Sequence, residues 1–387
     1  MQIGNLLIKF EAMKHLGLAL LLIVAASAQA QVNNTPLEDR NDYSPEKFKT
    51  LDLHIYNLNF QRNYEYYNSF ADGYTLFGYQ LMPTLTYFAN QKIKVEGGVL
   101  VNKNFGQRGY SRVQPVYSLS FTDRNFTLKF GSIDGGLKHQ YIQPMYDLDK
   151  ALLNPIENGI QFLYKKPKFF FDGWLDWALY IEPYSTFNEV LRGGFSSYYK
   201  PFINPGGVEV KIPLQLIVQH TGGQIDTTRI PVETTLNGAV GIEIEQTKPM
   251  SRDFYRGFSL KAYLLGFNTV PFRNLRPFKD GNAIFLNASL KTAYFELMLS
   301  YWKGNEFISV IGEPVMQSVS SSIHKPGLFQ GEREIVFVRI LQDIQLAPNL
   351  FLSARFEPYI DLNDPKLEFS NSLFLSWKGN FRLKKFD

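Results

Sequence analysis

Beyond residue 30 the chain has four histidines, His54, His139, His220 and His324, and with the carboxylates they are the groups that could do acid–base chemistry. Ser321, Ser322 and His324 stand close together in one loop. Hydrolysis by a side-chain nucleophile needs a base beside it and a third group to orient that base, and the sequence offers no obvious third member here. Glu243 and Glu245 lie two apart on one strand face. That spacing could suit the carboxylate pair of a glycosidase, and plain alternation along a strand also produces it. His139 with Asp134 and Asp147 matches no established ligand spacing, and there is no glycine motif for phosphate. These residues predict no catalytic group, no metal and no cofactor, hence a protein that is not an enzyme.

The elements that position these residues show a period of two, which sends alternate side chains to opposite faces of a strand. Val208, Val210, Ile212, Leu214, Leu216 and Val218 share one face, with Glu209, Lys211, Gln215 and Gln219 on the other. Leu236, Val240, Ile242 and Ile244 alternate with Asn237, Glu243 and Glu245. Helical patterning is confined to residues 145–153, within a loop. Long connections, near 62–73, 104–112, 135–157, 183–191, 221–232, 268–281, 305–332 and 361–366, take turns with short ones. About sixteen strands result, in a range of 12–16, centred near 56, 81, 97, 117, 130, 162, 176, 197, 214, 239, 261, 287, 299, 340, 355 and 375; the strand at 192–202 has the weakest pattern, and without it and one partner the count is fourteen. Pro83, Pro115, Pro213 and Pro358 fall inside these strands, where a residue without an N–H fits poorly.

Residues 13–30 read as an export signal: Lys14, an apolar run from Leu16 to Ala26, and the small-x-small site Ala28-Gln29-Ala30. Translation is expected to start at Met13, with 1–30 removed, 31–50 a loosely ordered periplasmic leader and 51–387 the folded domain. No later stretch has the eighteen apolar residues of a membrane helix, so membrane entry would be by strands. The chain has no cysteine, which excludes disulfides and thiolate metal sites. A formal charge of +4, falling to +3 once Lys9, Lys14 and Glu11 are removed with the signal, is too balanced for nucleic-acid binding.

The export signal, the alternating strands, the long and short connections and the aromatic-rich end LFLSWKGNFRLKKF resemble a porin-type outer-membrane barrel over residues 51–387. The resemblance implies an all-β fold, a transmembrane antiparallel up-and-down β-barrel of about 16 strands, in the cell outer membrane among its lipids. It also implies that the outer-membrane assembly machinery reads the last strand, although here Phe386 is penultimate and Asp387 is last. A barrel of this size leaves a water-filled lumen unless something plugs it. The expectation is therefore passive passage of small hydrophilic solutes, with oligomeric state and solute open.

The residues that matter would then be lumen-facing charges and any loop folded inward. In general porins the third external loop narrows the channel, and position alone gives 135–157 that role here. Gly135 and Gly136 would allow a sharp bend, and Lys138, His139, Asp147, Asp149 and Glu157 would meet a solute. The same loop reads equally as an external one with a short helix. On the wall, Trp174, Asp176, Tyr180 and Glu182 share a face, opposite Leu175, Trp177, Leu179 and Ile181. Stacking of sugars there competes with ordinary lumen packing. Glu209, Lys211, Glu243 and Glu245 are further lumen-face candidates. Two other readings stand beside the channel: a non-conducting scaffold or receptor barrel closed by loops 135–157 and 305–332, and a soluble β-sandwich that binds glycans.

Overall fold

Residues with period-two alternation form sixteen strands, and every expected centre falls inside one of them. They are β1 (Thr50–Glu65), β2 (Thr75–Phe88), β3 (Ile93–Asn104), β4 (Arg112–Asp123), β5 (Phe126–Ser132), β6 (Asn158–Lys166), β7 (Phe169–Leu179) and β8 (Glu189–Ile203). The second half comprises β9 (Val208–Gly222), β10 (Glu233–Thr247), β11 (Tyr255–Val270), β12 (Asp280–Thr292), β13 (Glu296–Asn305), β14 (Glu332–Ala347), β15 (Leu350–Asp361) and β16 (Leu367–Lys385). The structure, a computed structural model, describes residues 34–39, 41, 47–248 and 253–386. The expected signal at 1–30 lies outside the described residues. Sequence neighbours pair antiparallel and β1 pairs with β16, so the sheet closes on itself.

The wall has the reverse of a soluble core. Val240, Ile242 and Leu264 point outward and are 47%, 48% and 61% exposed, whereas Thr235, Asn237 and Glu243 on alternate positions are buried inside. A sandwich would bury the apolar face. Here that face is offered to lipid, and closure leaves no unpaired edge in the membrane. The protein is an outer-membrane β-barrel.

The strand prolines sit where pairing is interrupted on one side. Pro83 is opposite Ile55 of β1, but the β2–β3 register passes from Leu81 to Thr84. Pro213 pairs with Tyr198, and the β9–β10 register breaks between Lys211 and Leu214. Pro358 pairs with Phe369 across a gap in β14–β15. Each break falls where the missing N–H would have donated.

Tight turns at 124–125, 167–168 and 348–349 mark the periplasmic end, with both strand termini. The longest connections, 133–157 and 306–331, belong to the other end. The leader differs from the loose segment expected. Its described part, Asn34–Asp39, lies inside the barrel, where Leu37 packs with Tyr56, Leu58, Phe60 and Phe374. Tyr56 donates to Leu37 O at 2.6 Å and Ser376 donates to Pro36 O at 2.7 Å, satisfying carbonyls that water would otherwise serve.

Candidate functional site

The interior is shaped by two loops that fold inward. Loop 306–331 carries Phe307, Ile308, Ile311, Val315 and Met316, too many apolar residues to leave in water, and they pack against Trp302, Ile335 and Phe337 of the wall. Burial of such a side chain stabilises by about 1.5–3 kcal/mol. Asn237 donates to Ile308 O at 2.6 Å and Arg333 donates to Val315 O at 3.0 Å, so the wall also takes up the loop's backbone. Loop 133–157 adds Tyr141, Ile142, Met145 and Tyr146 to the same cluster. The loops hold each other: Asp147 N–H donates to Ile311 O at 2.8 Å, and Glu313 N–H to Gln143 O at 3.2 Å. Gly312 permits this approach, because a Cβ there would lie 1.9 Å from Pro144 O.

At the base of loop 133–157, His139 is fully buried between two carboxylates. Its Nδ1 is 2.8 Å from Asp172 Oδ2 and its Nε2 is 2.9 Å from Glu157 Oε2. The ring stacks on Trp174 at 4.5 Å. Burial works against a charged ring, but Asp172 and Glu157 outweigh it and hold the pKa up at about 10. Burial would likewise raise Glu157, and the imidazolium outweighs it, keeping the carboxyl below its ordinary range. His139 is thus a clamped imidazolium, with no free nitrogen to serve as a base.

A second cluster joins both loops to β1, β14 and β15. Arg62 lies 3.3 Å from Asp149 and 3.4 Å from Glu357, and Arg339 lies 3.1 Å from Glu357. Tyr64 donates to Asp149 at 2.8 Å, and Tyr74 donates to the same carboxylate. Asp147 caps the single described α-helix, α1 (Leu148–Leu153), by accepting from Asp149 N–H at 3.0 Å. Burial, with Glu313 and Asp149 nearby, pushes Asp147 well above the usual carboxylate range. Burial also raises Glu313, against the pull of Arg62.

Two cavities remain toward the periplasmic end. One, about 490 Å³, is lined by Lys94, Glu96, Lys129, Asp134, Lys138 and Asp172 among others. The other, about 430 Å³, holds Lys211, Glu243, Glu245 and Lys261. Their charges are paired: Lys138–Asp134 at 2.9 Å, Lys261–Glu245 at 2.8 Å and Lys261–Glu243 at 3.2 Å. Burial alone would raise Asp134; Lys129 and Lys138 hold it well below the usual range.

Most of the expected residues lie inside, in three separate places. Lys138, His139, Asp147, Asp149 and Glu157 belong to the inward loop, with Trp174 stacked on it and Asp176 accepting from Asn158 N–H at 2.8 Å. Lys211, Glu243 and Glu245 share the second cavity, and Glu209 pairs with Lys200 at 2.6 Å. Tyr180 and Glu182 do not line the lumen. β7 ends at Leu179, and both residues sit exposed in the following loop, because the bulge between Asp176 and Leu179 ends the alternation. The lumen is not open throughout: loops 133–157 and 306–331 fold into it and pack against the wall, and the two cavities lie beside them. Sequence reasoning missed Asp172, two residues before Trp174 on the same face, and the inward arginines Arg62, Arg333, Arg339 and Arg355. Alternation alone could have found each of them. Among the described residues, no group of three or more histidines and carboxylates is arranged to hold a metal.

An outer-membrane barrel with its lumen packed by its own loops is the class that fold and interior define. The chain belongs to the lipid A 3'-O-deacylase-type family, whose model matches residues 43–386. This is an enzyme family, and the match overturns the expectation of a protein that is not an enzyme. No curated protein matches the chain. Among solved structures it is similar to a loop L8 deletion mutant of OmpT, an outer membrane protein of Vibrio cholerae, at 12% identity and a TM-score of 0.51, covering 85% of this chain and 99% of that one. The outer membrane protein OprD from Pseudomonas aeruginosa aligns at 8% identity and a TM-score of 0.49, covering 87% of this chain and 97% of that one. At such identities the likeness concerns the fold.

Proposed function

We propose that the protein is an outer-membrane hydrolase that removes an ester-linked acyl chain from a lipid A-type glycolipid. The family match over 43–386 carries this reading. The interior agrees with it, since loops 133–157 and 306–331 pack into the lumen against the wall and against each other. Ester hydrolysis needs a base to activate the attacking group and donors for the oxyanion. A substrate that stays in the bilayer reaches the barrel from outside, which excludes His139 as that base.

His220 is better placed. It lies on the outward face of β9, two residues from the strand's outer end, and its Nδ1 is 2.9 Å from Thr234 Oγ1 on β10. The hydroxyl can fix the ring's orientation, and Nε2 lies on the Gly222 side of the ring, 3.0 Å from where a Cβ on Gly222 would stand. The test is mass spectrometry of lipid A from cells expressing the protein or its His220→Ala variant. Loss of one acyl chain with the native protein, restored in the variant, is the expected result. Unchanged lipid A with a correctly inserted native protein would overturn the hydrolase reading. Deacylation that survives His220→Ala would overturn the assignment of the base alone.

A further inference from the structure

The outer face of β1 departs from every other strand. Leu51, Leu53 and Ile55 face lipid, but the next outward residues are Asn57, Asn59, Gln61, Asn63 and Glu65. Pairing across the wall gives their depth. The row through Asn57 runs from Leu350, beside the tight turn at 348–349, through Trp377, Asn57, Leu81 and Val101 to Val113, beside the outer connection 105–111. Asn57 therefore sits midway between the two ends of the barrel, and the other members of its row are apolar. Asn59 is flanked by Leu375 and Tyr79, Gln61 by Leu373 and Phe77, and Asn63, opposite Thr75, reaches the outer end.

An amide in hydrocarbon is costly unless its groups are bonded. The row satisfies only part of its capacity. Asn57 donates to Gln80 O at 3.0 Å, Asn59 donates to Asn57 Oδ1 at 2.7 Å and to Leu375 O at 3.3 Å, and Gln61 donates to Asn371 Oδ1 at 3.4 Å, which leaves one N–H each on Asn57 and Gln61 without a bond to the described residues. Among the described residues, the side-chain carbonyls of Asn59 and Gln61 accept nothing. A lipid headgroup could serve Asn63 at the outer end but could not reach Asn57 at mid-depth. The missing partner must bring its own donors and acceptors into the middle of the bilayer.

We propose that this partner is a second copy of the chain, docked β1 to β1 about a two-fold axis. An amide is both donor and acceptor, so a row of amides is complementary to its own image, and a two-fold interface places the same patch on both sides. The row then continues from one barrel to the next, and its flanking residues, Leu81, Leu373, Leu375 and Phe77, close around it as the dry rim.

The chain lacks cysteine, so single cysteines can report the contact directly. In intact outer membranes, Asn59→Cys treated with a short bis-thiol cross-linker is expected to give a covalent dimer, and Val240→Cys, outward on the apolar strand β10, is not. The combined Asn57→Leu, Asn59→Leu and Gln61→Leu variant is expected to keep the heat-dependent gel shift of a closed barrel and to lose the dimer in mild detergent. No dimer from Asn59→Cys, a yield equal to that from Val240→Cys, or capture of a different protein would each overturn the proposal.

Discussion

His139 and Trp174 lie face to face, with ring centroids 4.5 Å apart and planes 19° from parallel. The stack joins loop 133–157 to β7 and leaves the imidazole edge to Asp172 and Glu157. It is a cation held on an aromatic face, an arrangement worth most when water is excluded.

The clamp predicts how the loop responds to pH. The folded pKa of His139, about 10, lies above its unfolded value of 6.5. Its contribution is fully present below 6.5 and is lost as pH rises through about 10. Glu157 is shifted down, so its contribution is present above its ordinary 4.5 and is lost as pH falls below that. Protease sensitivity of loop 133–157 should be lowest between these limits and should rise at both extremes. In His139→Gln, the alkaline rise should disappear.

Glu357 is the shared acceptor for Arg62 and Arg339, with Arg355 close by. Glu357→Ala would leave buried guanidinium groups without that compensation, at a cost of about 3–5 kcal/mol. A lower temperature of gel-mobility shift would register the loss. An unchanged shift would mean that the cluster is already hydrated.

Gly312 tests the contact between the two loops. A methyl group 1.9 Å from Pro144 O cannot be accommodated without displacement. Gly312→Ala should cost about 1–3 kcal/mol and expose loop 306–331 to protease, with the barrel wall unaffected.

Conductance separates a packed lumen from an open one. In planar bilayers the native barrel should pass little current. Replacing 307–319 with a short glycine–serine link should produce steady channels, because a sixteen-strand wall encloses an aqueous bore. Large native conductance would show that ions pass the inward loops and would favour the channel.

The wall was legible because alternation is a local property. Val240 and Glu243 declare their faces within a few residues of sequence, and strand centres follow from turns on either side. What fills the wall was not legible in the same way. Nothing near Phe307 or Ile311 says that their partners are Trp302, Ile335 and Phe337, and the loop's apolar composition is the only hint that it avoids water. The strand-end bulge that turns Tyr180 and Glu182 outward is likewise invisible to a strict two-residue period. Type and position in the sequence single out His139, Glu157 and Trp174, but the clamp also needs Asp172, which becomes a neighbour only once β7 and the loop are folded. The sequence carries no motif that announces an enzyme family, and the family match supplied what spacing could not.

The buried leader has one more consequence. Leu37 and Pro36 are held by Tyr56 on the first strand and Ser376 on the last, while Asn34 is held by Arg355 at 2.9 Å. Those holding groups come together only when the two ends of the sheet meet. The leader's berth therefore exists only in the closed barrel, and its occupation ties together the two sides of the seam between the first strand and the last.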